Sequence, residues 1–60
     1  MTNRKKLESK FRRMLEAQGY LLRKSRTTGG YMIVEAYFNR IETGEGFTLD
    51  LDDVKRFANG

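Results

Sequence analysis

The sequence predicts one small α+β domain with the element order α-β-β-(β)-α. Three features indicate it: an apolar period of 3.6 residues near the N-terminus, β-branched and aromatic segments around a Gly-Gly turn, and a short amphipathic segment with an acidic start near the C-terminus. Sixty residues suffice for a single domain, residues 1–60. We therefore expect an N-terminal amphipathic helix, a two- or three-stranded antiparallel sheet and a short C-terminal helix, with both helices on one sheet face.

The first predicted element is a helix from about Asn3 to Gln18. Its apolar residues recur at i, i+4, i+7 and i+8, and so share one face: Leu7, Phe11, Met14 and Leu15. Thr2 or Asn3 can cap the start of this helix, and Gly19 suits the left-handed position just after its end.

The middle of the chain predicts a β-hairpin and a shorter third strand. The first strand runs from Tyr20 to Arg26, and the second from Tyr31 to Val34. The paired glycines of the segment 27–30 permit the positive φ angles of a turn between them. A further turn at 37–39 precedes a possible third strand, Arg40 to Thr43. Residues 44–46 predict a loop.

The last segment, Leu49 to Ala58, predicts a short helix. Asp50 can cap it, with Asp53 three positions later in the arrangement of a capping box. The apolar face of this helix consists of Leu51, Val54, Phe57 and Ala58. A cluster of acids at a helix start favours a capping and dipole role over a metal site, so we expect no metal and no cofactor.

Charge is distributed unevenly along the chain. Residues 1–26 contain nine basic and two acidic residues, a balance of +7, and residues 27–60 contain three basic and six acidic ones, a balance of −3. Such asymmetry indicates an anionic partner for the first half, or electrostatic association between copies.

The sequence offers little for catalysis. It has no histidine and no cysteine, so general-base, thiol-nucleophile and zinc chemistry lack their usual side chains. The glycines match neither a P-loop nor a dinucleotide fingerprint. We therefore expect a binding protein and not an enzyme. Because no apolar run is long enough to span a membrane, we expect no membrane partner. The absence of cysteine fits cytoplasmic residence, which we therefore expect.

The basic residues supply the main binding hypothesis. Three of them recur at helical spacing beside the apolar face, and three more follow in the first strand and its turn: Lys6, Lys10 and Arg13, then Arg23, Lys24 and Arg26. If the chain turns tightly at Gly19, the two groups can join into one patch that contacts the phosphates of DNA or RNA. We expect modest sequence specificity, because no helix with base-reading side chains is evident.

The alternative hypothesis is a protein-interaction module, either an inhibitor or a homodimer, that uses the acidic and aromatic half of the chain. Tyr37 and Phe38 lie in a predicted turn and are the aromatic pair with the best prospect of exposure, and Asp52 represents the acidic surface. The sequence leaves monomer and homodimer both open.

Two resemblances bear on these hypotheses. The segments Gly19 to Arg26, Gly29 to Val34 and Leu49 to Val54 resemble a family of short bacterial and phage proteins with an Arg-Lys-Ser-Arg strand, a Gly-Tyr-Met hairpin and a final Leu-Asp-x-Asp-Val helix. That family is uncharacterised, and the resemblance implies an accessory or regulatory role in bacteria or phage. The element order also resembles a double-stranded-RNA-binding domain, although the acidic start of the last helix would repel phosphates.

Overall fold

The computed structural model describes residues 3–60, and their side chains from Lys5 onward. Two helices pack on one face of a three-stranded antiparallel sheet of strand order β1-β2-β3, which confirms the predicted α+β class and shows that the third strand forms. The elements are α1 (Asn3–Ala17), β1 (Tyr20–Lys24), β2 (Tyr31–Glu35), β3 (Arg40–Thr43) and α2 (Leu51–Asn59). Within the described residues, neither helix has the length and apolar character to cross a bilayer.

Helix α1 is held to the sheet by the apolar face that its sequence predicts. Phe11 and Leu15 are buried in the core and Met14 packs against it, whereas Leu7 lies at the margin and is 40% exposed. The helix ends where Gly19 adopts a φ of 91°, a conformation that a residue with a Cβ adopts only at a cost. The cap predicted at Thr2 or Asn3 lies outside the described side chains.

Strands β1 and β2 form the predicted hairpin, with Leu22 opposite Ile33 on the core face. The prediction that β1 continues to Arg26 is wrong, because the strand ends at Lys24. The reason is local: the Ser25 hydroxyl accepts hydrogen bonds from the backbone N–H groups of Thr27 and Thr28, at 3.2 Å each. A serine that binds the backbone in this way starts a turn and so ends the extended ladder.

Strand β3 is an edge strand, which explains its polar sequence. Its residues are exposed apart from half-buried Thr43, so it needs few apolar side chains. The turn before it is fixed by Glu35, whose carboxylate accepts hydrogen bonds at 2.8 Å from the backbone N–H groups of Tyr37 and Phe38. The ladder shifts register between Ile33 and Val34, where one extra residue of β3 bulges.

Helix α2 has the capping box that the sequence predicts. The Asp50 carboxylate accepts from the Asp53 N–H at 2.9 Å, and Asp53 accepts from the Asp50 N–H at 3.2 Å. The bond from the Asp53 N–H is the largest cause that lowers the pKa of Asp50 below its ordinary value. The helix starts at Leu51 and not at Leu49, because Leu49 exchanges two backbone hydrogen bonds with Tyr31.

The core lies between the helices and the sheet, and its largest fully buried side chains are Tyr31, Leu15, Ile33 and Val54. The loop after β3 packs closely against Gly30, which has no Cβ. A Cβ at that position would collide with the backbone carbonyl oxygen of Phe47. The core is small, as expected for a chain of this length, so each large apolar side chain carries much of the stability.

We expect Phe11→Ala to lower the free energy of unfolding by about 3–5 kcal/mol, since it removes a buried ring and leaves a cavity. Denaturant unfolding followed by circular dichroism measures the loss. The matched control is Leu7→Ala on the same helix, which should cost much less because Leu7 is 40% exposed. Equal losses for the two variants would show that the core face of α1 is assigned wrongly.

Candidate nucleic-acid interface

The solvent face of α1 carries a group of exposed cations. Arg13 is two residues from both Phe11 and Leu15, so it lies about 160° from each around the helix axis and faces solvent. Lys6 and Lys10 are exposed beside it on the same side of the helix. A shallow open depression runs along this surface, lined by Lys5, Lys6, Ser9, Lys10, Arg13 and Met14.

These helix cations have no carboxylate partner in the part of the chain that the structure describes. The ion pairs there join Glu8 to Arg12, Glu8 to Lys24 and Asp53 to Arg56. Glu16, the other acid of α1, is exposed and takes part in none of them. The positive charge on this face is therefore available to an anion from solution.

The charged residues of α1 are also placed unfavourably with respect to its helix dipole. Its first turn contains no acid and its last turn no base, whereas α2 has Asp52 and Asp53 in its first turn and Arg56 in its last. Cations at a helix N-terminus lie next to its partial positive charge, which disfavours the helix by about 0.3–1 kcal/mol per charge. Lys5 and Lys6 thus weaken α1 unless an anion neutralises them.

Lys24 belongs to a different surface, although the sequence hypothesis allowed one joined patch. Its Nζ lies 3.6 Å from Glu8 Oε1, and Arg12 Nη2 lies 3.4 Å from Glu8 Oε2. The buried Tyr31 hydroxyl donates to the same Glu8 Oε1 at 3.2 Å. Glu8 and Lys10 are two residues apart and so lie about 160° apart around α1, which separates this cluster from the solvent-face cations.

Arg23 and Arg26 lie apart from both groups. Lys24 faces the helices opposite Tyr31, so Arg23, the preceding residue of β1, faces the opposite side of the sheet. Arg26 is exposed in the turn between β1 and β2. The six predicted contact residues are therefore divided between the α1 face, the Glu8 cluster, the outer sheet face and the hairpin turn.

The residues of the alternative protein interface are also separated. Tyr37 is 84% and Phe38 64% exposed, in the turn where Ala36 N–H bonds to Gly19 O. Their rings meet edge to face at 82° and so form no flat patch. Asp52 is exposed in the first turn of α2, whereas it is the last turn of that helix that contacts Gln18, next to Gly19, through the Ala58 carbonyl. Asp52 and Ala58 are six residues apart, or about 9 Å along the helix axis.

The acids near α2 have structural roles. Asp50 and Asp53 form the capping box, and Asp53 also lies 3.7 Å from Arg56. Within residues 3–60 no group of three or more potential ligand side chains is arranged to hold a metal ion.

The structure adds two residues to the candidate interface. Lys5 and Ser9 line the basic depression but were not among the predicted contact residues. A helical wheel of residues 3–17 would have placed both residues near Arg13, because Ser9 lies one turn from Arg13 and Lys5 lies one turn from Ser9. No family model, curated protein or solved structure matches this chain. Its function is therefore inferred from its own residues.

Glu8→Ala should lower the free energy of unfolding by about 1–3 kcal/mol, because the buried Tyr31 hydroxyl loses its acceptor and two cations lose their partner. Thermal and denaturant unfolding measure the change. Glu16→Ala is the control on the same helix, and it should change stability by about 0.5 kcal/mol or less. If Glu8→Ala is as stable as Glu16→Ala, the Glu8 cluster does not stabilise the fold.

Proposed function

We propose that this chain is a small nucleic-acid-binding module that neutralises phosphates with the solvent face of α1. The observation that carries the proposal is the set of exposed, unpaired cations on that face: Lys5, Lys6, Lys10 and Arg13. A polyanion is the ligand that such a surface attracts most strongly, because each neutralised phosphate releases condensed counterions.

The spacing of these cations suits a phosphate backbone. Lys6 and Arg13 are separated by seven residues, or about 10 Å along the helix axis. One strand of duplex DNA carries a phosphate about every 3.4 Å of axis, so this length of α1 spans about three phosphates. A single small anion would use only part of the surface.

The unfavourable charge order of α1 supports the same proposal. Helix stability alone would favour acidic residues in the first turn, as in α2, yet the first turn of α1 contains Lys5 and Lys6. A bound phosphate chain removes this repulsion and stabilises the helix start. The positive charges that destabilise α1 in the free protein thus bind phosphates in the complex with nucleic acid.

The biological setting of the proposal comes from the sequence. The resemblance to short bacterial and phage proteins favours an accessory or regulatory protein of the bacterial cytoplasm. The lack of histidine and cysteine favours binding without catalysis.

The test is Lys5→Glu/Lys6→Glu. We expect loss of binding to short labelled nucleic acids at low salt, and a folded domain at least as stable as the parent, because acids in the first turn suit the dipole. For the parent, log K against log salt should fall with a slope of about −3 to −4 on duplex DNA, if all four cations contact phosphates. Fluorescence anisotropy measures binding, and thermal melting measures stability.

The matched control is Arg23→Glu/Arg40→Glu, which reverses two arginines of the sheet and changes the net charge equally. Arg23 faces away from the helices and Arg40 lies on the edge strand, so this variant should keep most of the parent's affinity. Equal loss in both double variants would mean that only net charge matters and would overturn the assignment to α1.

The exposed aromatic turn favours a second candidate function, that of a protein-interaction module. Tyr37 and Phe38 are held on a turn fixed by Glu35, and Arg40 lies 5.1 Å from the Phe38 ring centroid. If the chain has this second function, the parent protein should form homodimers or bind a partner protein. Tyr37→Ala should abolish that association. Sedimentation over a wide range of protein concentrations tests for the homodimer. A parent protein that stays monomeric at every concentration would exclude it.

A further inference from the structure

The cations of α1 form a crest and lie on both sides of it. Lys6 and Arg13, seven residues apart, point most directly away from the buried Phe11 and Leu15. Lys10 lies on one side of this crest, and on the other side lie Lys5, the ion-paired Arg12 and the acid Glu16. The solvent face of α1 thus has a basic crest with one unpaired cation as a shoulder on each side, Lys10 and Lys5.

We propose, building on the proposed function, that α1 binds in the major groove of B-form DNA, with its basic shoulders toward the two phosphate backbones. An α-helix with its side chains is about 10–12 Å across, and the major groove is about 12 Å wide. The sheet and α2 pack on the side of α1 that carries Phe11 and Leu15, and α2 also borders Lys10, so the crest is the part of α1 that faces outward and can enter the groove. Shoulders on both sides match a groove, which has a backbone on each wall.

The same surface fits the other forms of nucleic acid less well. The major groove of A-form RNA is deep and narrow, and side chains cannot read it. Single strands are held by aromatic side chains that stack on bases beside the cations. The only aromatic residue of α1 is Phe11, which is 4% exposed and belongs to the core.

Arg13 is the residue that this geometry assigns to base recognition. It lies at the crest, where a helix in the groove faces the base edges, and no carboxylate of the described residues holds it. An arginine there can donate two hydrogen bonds to O6 and N7 of guanine. Arg13, which the sequence hypothesis treats as a phosphate contact, is therefore assigned to guanine recognition instead.

The experiment compares the full chain on four labelled ligands at one salt concentration: a G·C-containing DNA duplex, the same duplex with 7-deazaguanine, the RNA duplex of that sequence, and single-stranded DNA. The 7-deaza change removes the N7 acceptor from the major groove and leaves the phosphates intact. We expect the DNA duplex to bind at least tenfold more tightly than the RNA duplex and the single strand. We expect the 7-deaza duplex to bind about fivefold more weakly than the natural one.

Arg13→Ala and Lys10→Ala isolate the base contact, because each removes one charge and, of these two residues, only Arg13 lies at the crest. In Arg13→Ala, 7-deazaguanine should no longer affect the affinity, whereas in Lys10→Ala the natural duplex should still bind about fivefold more tightly than the 7-deaza duplex. Equal parent affinity for all four ligands would overturn groove binding and leave phosphate binding intact. A parent that binds none of them at low salt would overturn the proposed function as well.

Discussion

Tyr31 is the residue on which the rest of the structure depends. Its ring is fully buried, and its backbone exchanges hydrogen bonds with Leu49, which fixes the loop before α2. Its hydroxyl donates to Glu8 and so ties the sheet to α1. A tyrosine is suited to this position because it combines a large apolar ring with one polar atom that can reach a carboxylate. One residue of β2 thereby links α1, through its side chain, and the loop before α2, through its backbone, to the sheet.

The two helices differ in how well their charged residues suit helix stability. Helix α2 follows the rules of helix stability, with a capping box, acids at its start and Arg56 in its last turn. Helix α1 violates the dipole rule at its start and exposes its cations. Departures from local stability concentrate at functional surfaces. The contrast within one chain of sixty residues is therefore a physical argument for binding by α1 that does not depend on any relative.

Much of the fold could be predicted from the sequence, because its signals are local. The apolar period of α1, the Gly29-Gly30 turn and the Asp50–Asp53 box each depend on residues close together in the chain. One error lies at a boundary that a tertiary contact decides, since Leu49 pairs with Tyr31 instead of starting α2. The other lies at the end of β1, where the Ser25 hydroxyl binds the backbone of the following turn. The composition of the basic surface could not be predicted, because the Glu8 contact with Lys24 joins residues sixteen apart. Only folding shows that Lys24 is already engaged.

The bulge and the charged residues of edge strand β3 affect how readily the sheet can pair with another protein chain. A free sheet edge is a template for another chain, and small sheets are prone to grow by adding strands. At β3 an incoming strand meets the charged side chains of Arg40 and Glu42 and an irregular ladder at the bulge. These features discourage the continuous pairing that leads to fibrils. Strand β3 thus disfavours the addition of a further strand at this edge of the sheet.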